Sequence, residues 1–247
     1  MAGSPAGRDD LRGNRVLAAL PEPERERIRG GLELVEMDIA KELYKPGERI
    51  DSLWFPLRCV CSLVADLDGT SVEVATVGDE GLVGLPVFLG VSTPTERASV
   101  QVAGWGLRMD ADRFRHEIAV MDGVFQQVMQ RYAQAMFTQI ARNAACNRSH
   151  RIRQRCARWL LMTADRVHSN EFKLTQKFLA QMLAVRRSSV SEVAGALAEE
   201  GCIGYSRGVI TILDRERLEA TACSCYRVLR EATDAAFPPA GPNGHKL

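Results

Sequence analysis

The residues whose types and spacing are best suited to chemistry lie between Thr175 and Glu192. Thr175-Gln-Lys-Phe-Leu-Ala-Gln-Met-Leu-Ala reads as a capping threonine and a short helix, with the small Ala180 where a second helix can approach. Val185-Arg-Arg-Ser-Ser then connects tightly into a second helix carrying Val190, Val193 and Leu197. Counted from Gln176, the residues Leu179, Ala180, Leu183, Val185, Val190 and Val193 fall at positions 4, 5, 8, 10, 15 and 18, the set that two helices need to cross steeply in a helix-turn-helix. Arg186, Arg187, Ser188, Ser189, Ser191 and Glu192 are left as hydrogen-bonding groups that can reach base edges in a major groove. Behind them, Gly201-Cys-Ile-Gly-Tyr-Ser-Arg-Gly-Val-Ile-Thr-Ile reads as two strands joined at Arg207-Gly208, a wing with a cation at its tip. Thr175 and Gln176 at the helix start, Lys177, and Arg207 are the expected phosphate contacts.

Charge supports that reading. The chain has a net charge of +1, but residues 142–187 carry eleven Lys/Arg against two Asp/Glu, inside flanks that are net acidic. A basic block of this kind is an electrostatic footprint for a polyanion, and duplex DNA is the expected partner.

Thiols and imidazoles form weaker patterns. Cys59-Val-Cys61 and Cys223-Ser-Cys225 are closer than the C-x-x-C spacing usual in zinc and iron–sulfur sites, and no third and fourth ligand lies near in sequence, so no metal and no cofactor is expected. A redox role for Cys223 and Cys225 stays open as an alternative. His116, His150, His168 and His245 are isolated. The chain has no G-x-x-x-x-G-K-[ST], H-E-x-x-H or G-x-S-x-G motif, and Gly104-Trp-Gly106 lacks the third glycine of a dinucleotide site, so an enzyme is not expected. A ligand-binding or interaction module without DNA contact is the other reading from a different class.

The elements that must position these groups follow from the rest of the 247 residues, which are 46% hydrophobic and allow two domains of ordinary size. Residues 1–14 read as a disordered lead. Asn14 can cap a short helix through Leu20, and Pro23 opens another over Glu24 to Leu32. From Leu34 to about Arg108, short apolar or alternating runs broken by Gly and Pro predict antiparallel strands, with Asp68-Gly69 as a tight hairpin turn. After Asp110, a capping residue, the period lengthens. Phe125, Val128, Met129, Tyr132, Met136 and Ile140 form one stripe of a long helix over 121–145, and a second copy of the chain is the expected cover for that stripe. Pro238 to Gly244 reads as a loose part of a tail over 227–247. The longest apolar stretch, Leu82 to Val91, is about half the roughly 20 residues a membrane-spanning helix needs. With no signal-peptide core at the amino terminus and seven scattered cysteines, the expected location is the cytoplasm, without membrane contact.

On these residues the chain resembles the bacterial transcription regulators of the Crp/Fnr superfamily, over roughly residues 15–225. The resemblance implies an α+β fold: a jelly-roll-like antiparallel β-roll of cyclic-nucleotide-binding type over 15–120, the dimerisation helix, and a winged helix-turn-helix over 146–226. It implies a homodimer on an inverted-repeat operator, and RNA polymerase as a further partner. Arg153-Gln-Arg-Cys-Ala-Arg-Trp-Leu-Leu is similar to the helix that opens the family's DNA-binding domain, and Arg187 matches its guanine-reading arginine. Ser188 and Glu192 differ from a glutamate and an arginine in members that respond to cyclic AMP. The family's ribose and phosphate anchors correspond here to Gly81-Leu82 and Arg97-Ala98, a degenerate pocket in which only the arginine of three polar anchors remains. Cyclic AMP binding is therefore not expected. Arg97 is free to pair with Glu96 or Glu80, or to hold another anion.

Overall fold

The computed structural model describes residues 4–121 and 123–237; the expected loose stretch Pro238 to Gly244 lies outside them. A disordered lead is expected for 1–14, but of that stretch the described residues 4–14 are docked on the rest of the chain. After strand β1 (Ser4–Pro5), helix α1 (Arg8–Arg12) buries Leu11 in the core. Asn14 then caps α2 (Arg15–Ala18), its side-chain oxygen accepting from the Val16 and Leu17 amides. The other end of the same side chain donates to the Pro56 and Gly81 carbonyls at 2.9 and 2.8 Å. One buried amide thus fixes both the cap and the docking of the lead. Helix α3 spans Glu22–Arg29.

The strands β2 (Glu33–Met37), β3 (Glu42–Tyr44), β4 (Ser52–Pro56), β5 (Val60–Leu67) and β6 (Thr70–Val77) lead to a one-turn helix α4 (Leu85–Phe88) and then to β7 (Arg97–Val102) and β8 (Gly104–Asp110). They form two antiparallel four-stranded sheets, in the orders β1-β2-β8-β4 and β3-β7-β5-β6. Asp68 and Gly69 both have positive φ (50° and 82°), as the two-residue turn joining β5 to β6 requires. Asp110 caps α5 (Ala111–Val120), accepting from the Asp112 and Arg113 amides.

Helix α6 (Val124–Ser149) has 26 residues and is about 39 Å long. Its expected apolar stripe is not free to meet a second copy. Phe125, Val128, Met129, Tyr132 and Met136 are buried in the β-domain core of the same chain. Phe125 packs edge-on against Phe114, and the Tyr132 hydroxyl donates to the Leu82 carbonyl at 2.8 Å. Further along, the Gln139 amide both accepts from Thr76 N (2.7 Å) and donates to Thr76 O (3.1 Å), and Asn143 donates to Val74 O. These two residues, one helical turn apart, continue the hydrogen-bond ladder on the open edge of β6 and so protect it from other strands. The turn after β6 permits this close packing: a Cβ on Gly81 would lie 2.4 Å from the Tyr132 ring.

The remaining elements are α7 (Ile152–Val167), β9 (Glu171–Lys173), α8 (Gln176–Met182), α9 (Arg187–Glu199), β10 (Ile203–Ser206), β11 (Val209–Ile212), α10 (Arg215–Thr221) and α11 (Cys225–Ala236), with β10-β11-β9 as a third sheet. Their core, built on Leu160, Leu179, Val190, Leu197 and Ile210, includes Val60, Val64 and Val102 of the β domain. Residues 227–236, expected within a tail, are helical in α11, which packs along α6. No helix among the described residues is long and apolar enough to cross a membrane.

Candidate nucleic-acid interface

Helix α8 begins with Thr175, whose hydroxyl accepts from the Phe178 amide at 3.2 Å. Val185 N returns to Ala180 O, and Ala184 takes a left-handed conformation (φ 50°), closing the turn that the Val185-Arg-Arg-Ser-Ser sequence predicted. Arg186 is the N-cap residue of α9, and Arg187 opens the helix. The inward residues Leu179, Ala180, Leu183 and Val190 are buried, whereas Val185 and Val193 are half-buried. Arg186, Arg187, Ser188, Ser191 and Glu192 are exposed, with Ser189 half-buried among them. Ser191 Oγ lies 2.7 Å from Gln176 Oε1, linking the two helices. The wing turn has Arg207 and Gly208 at φ 50° and 78°, with the Arg207 side chain exposed, as are Thr175 and Lys177.

The basic block divides into two kinds of residue. Arg155, Arg158 and Arg166 are buried, and Arg153 pairs with Glu200. Arg155 donates to the Leu183 carbonyl at 2.6 Å and so braces the end of α8. Arg142, Arg148, Arg151, Lys173, Lys177, Arg186 and Arg187 remain exposed. Charge counting alone therefore overstated the footprint, because sequence does not distinguish a bracing arginine from a solvated one.

In the β domain, the residues matching the family's ligand pocket are otherwise employed. Leu82 and Ala98 are core side chains, and Tyr132 closes the space beside Gly81. Arg97 pairs with Asp66 (3.2 Å) and reaches Ser71 Oγ, not Glu96 or Glu80. Glu96 accepts from the Tyr44 hydroxyl, and Glu80 holds Arg166 at 2.7 Å.

A polar seam joins the two domains, and sequence reading did not find it. Trp159 Nε1 donates to Glu73 Oε1 at 2.9 Å, the other Glu73 oxygen is 2.7 Å from Ser62 Oγ, and Ser62 is 2.7 Å from Gln101 Oε1. Burial pushes the Glu73 carboxyl up to about 7, against the hydrogen bonds from Ser62 and Trp159. A neutral Glu73 satisfies every group: it donates to Ser62, whose single proton goes to Gln101. Beside it, Arg166 bridges Glu80 and Thr76 Oγ1, and His168 lies 2.9 Å from Asp79, which raises the imidazole above its ordinary value. The pairs that cross between the domains, Trp159–Glu73, Arg166–Glu80, Arg166–Thr76 and His168–Asp79, are each more than 80 residues apart, so no local pattern announces them.

The cysteine pairs diverge. Cys59 and Cys61 are core thiols, and the Cys59 sulfur and burial both push the Cys61 thiol up. Cys223 and Cys225 are not an isolated pair, because folding brings Cys146 and His150 against them. The expectation of no further ligand held along the sequence but not in space.

Residues 154–221, which run from α7 through α10, match the Crp-like helix-turn-helix domain family. A comparison with curated proteins gives no match. Among solved structures, the fold is similar to that of a Crp/Fnr-family transcriptional regulator from Eubacterium rectale (15% identity, TM-score 0.64, covering 85% of this chain and 98% of that one). It is also similar to FixK2 from Bradyrhizobium japonicum (14%, 0.65, 78% and 98%) and to a CRP-family transcriptional regulator from Thermus thermophilus (21%, 0.62, 77% and 99%). At these identities the structures establish the fold: mixed α/β, with amino-terminal antiparallel sheets, a long helix and a carboxy-terminal helix-turn-helix.

Proposed function

We propose that this chain, which has the fold of the Crp/Fnr-family structures and carries a Crp-like helix-turn-helix domain over residues 154–221, binds an inverted-repeat operator in duplex DNA as a homodimer in the cytoplasm and regulates transcription there. The observation that carries the reading is the start of α9, where Arg186, Arg187, Ser188 and Glu192 stand exposed on a helix braced from behind by α7 and α8. Arg187 reads guanine, Ser188, Ser189, Ser191 and Glu192 refine the preference, and Lys177 and Arg207 grip phosphates, with Thr175 and Gln176 at the same edge. A two-fold dimer sets its recognition helices about 34 Å apart, in successive major grooves. RNA polymerase is the partner through which a bound regulator would act.

The dimer surface in this proposal is the face of α6 turned away from the β domain. Phe137 is 68% and Ile140 41% exposed, and with the exposed Ala144 they recur at spacings of three and four, as in a coiled-coil seam. Of the stripe expected from sequence, only Ile140 belongs to it. The β domain does not take cyclic AMP in this reading, since Leu82 faces the core and Arg97 is held by Asp66. Calorimetric titration with cyclic AMP should show no saturable binding tighter than about 10 μM, an affinity near −6.8 kcal/mol; such binding would refute that part. DNA binding itself is tested by retention of genomic fragments on the purified chain, falling steeply with salt. Failure to retain any fragment at low salt would sink the proposal.

A further inference from the structure

Three cysteines and one histidine meet where α6 ends and α11 begins. Cys146 lies in the last turn of α6, His150 follows one turn later as the C-cap residue, and Cys223 and Cys225 flank Ser224, the N-cap residue of α11. Cys146 Sγ is 3.5 Å from Cys223 Sγ, and His150 Nδ1 is 3.4 Å from Cys146 Sγ and 3.7 Å from Cys225 Sγ. All four ligand atoms lie within 4.8 Å of one another. The three sulfurs form a small buried cluster of their own, separate from both hydrophobic cores, and His150 is half-buried beside it.

From this juxtaposition we propose a mononuclear Cys3His zinc site formed by Cys146, His150, Cys223 and Cys225. Three of the spacings, 3.4–3.7 Å, are close to the edges of a tetrahedron around one ion, and the others lie within 4.8 Å. With metal–sulfur bonds of about 2.3 Å and a metal–nitrogen bond of about 2.0 Å, the edges of such a tetrahedron are about 3.8 Å between sulfurs and about 3.5 Å from sulfur to nitrogen. An iron–sulfur cluster spreads its ligands over several metal atoms and needs them farther apart than this set allows. Soft thiolates with one imidazole select zinc among the common divalent ions, and four protein ligands close the site, as in structural rather than catalytic centres. Three thiols lose their protons on binding, so Zn2+ with three thiolates and a neutral imidazole carries one net negative charge, and three protons leave to solvent. Two buried guanidiniums suit that charge. Arg155 and Arg158 act electrostatically on these thiols, and the Nε of each is a buried donor without a hydrogen-bond partner among the described residues. Their charge offsets that of the thiolates, and their unpartnered Nε donors are buried groups that a thiolate-rich site could use as outer partners.

The site brackets the helix-turn-helix domain. Its ligands come from just before α7 and just after α10, so one ion ties both ends of that domain to the end of α6. It requires nothing of the DNA reading, and its test reads metal rather than DNA. The full chain, without a polyhistidine tag and purified under reducing conditions, should contain about one zinc per chain and no acid-labile sulfide. Cobalt(II) added to the metal-free protein should give the intense visible bands of tetrahedral cobalt thiolate, and zinc should displace them. Cys225→Ser and His150→Ala should lose the metal, whereas Cys202→Ala, a buried thiol elsewhere, should keep it. Three results would overturn the proposal: a zinc-free chain on which cobalt gives no such bands, iron with labile sulfide in place of zinc, or a Cys146–Cys223 disulfide in the reduced preparation. The cobalt spectrum of the parent chain decides the matter even if the variants do not fold.

Discussion

Arg187 and Arg207 carry the same charge on one domain, and the proposed DNA reading gives them different work. Arg187 opens a braced helix among hydrogen-bonding neighbours, whereas Arg207 stands at the tip of a two-residue turn. A bidentate arginine on guanine gives about 1–3 kcal/mol of discrimination, while a phosphate contact acts almost equally on every sequence. Arg187→Ala should flatten specificity across a panel of operator variants, and Arg207→Ala should weaken specific and random DNA alike. Identical profiles for the two substitutions would contradict the assignment. The positions of both residues were legible in the sequence, because helix spacing and an Arg-Gly turn are local signals. The buried Arg155, Arg158 and Arg166 were not, since their partners are supplied by distant segments.

At the scale of elements, the seam between α7 and β6 makes stability depend on pH. The Glu73 carboxyl, ordinarily near 4.5, is raised by burial to about 7. The unfolded chain ionises it near 4.5 while the folded chain keeps the proton to about 7. Its stabilising effect is therefore full below about pH 4.5, is lost as pH rises to 7, and changes no further above that; the loss is about 3 kcal/mol. Glu73→Gln keeps the hydrogen bonds and removes the titration. In urea unfolding, the stability of the variant relative to the parent should climb by roughly that amount between pH 4.5 and 7.5, and a constant difference would contradict the role given to Glu73. Helix α6 offers a second check at this scale. Phe137→Glu with Ile140→Glu should leave the protomer folded and shift the chain to a monomer in sedimentation equilibrium, because both side chains are exposed. A dimer of unchanged stability would place the interface elsewhere. Sequence periodicity found this helix but assigned its apolar stripe to the wrong neighbour. Phe125 to Met136 repeats equally well against a sheet or a second helix, and only the length and curvature of the β domain decide which.

For the whole molecule, the order of helix, strands, long helix and winged helix-turn-helix was readable because each element has its own period and its own turn residues. Asp68-Gly69, Asp110 and Thr175 mark boundaries that the structure keeps. What the sequence could not show is how the two domains meet. Trp159 on Glu73, Arg166 on Glu80 and the Cys146–His150–Cys223–Cys225 cluster are all contacts across long separations. The central claim joins both domains to DNA, as a symmetric pair of recognition helices on one operator. The measurement that tests it most directly is footprinting of genomic fragments selected by the purified full-length chain over a range of salt. The account predicts protection of an inverted repeat whose half-sites are one helical turn apart, about 34 Å centre to centre, with affinity falling steeply as salt rises. Protection of a single asymmetric half-site, or binding with no preferred sequence at any salt, would contradict it.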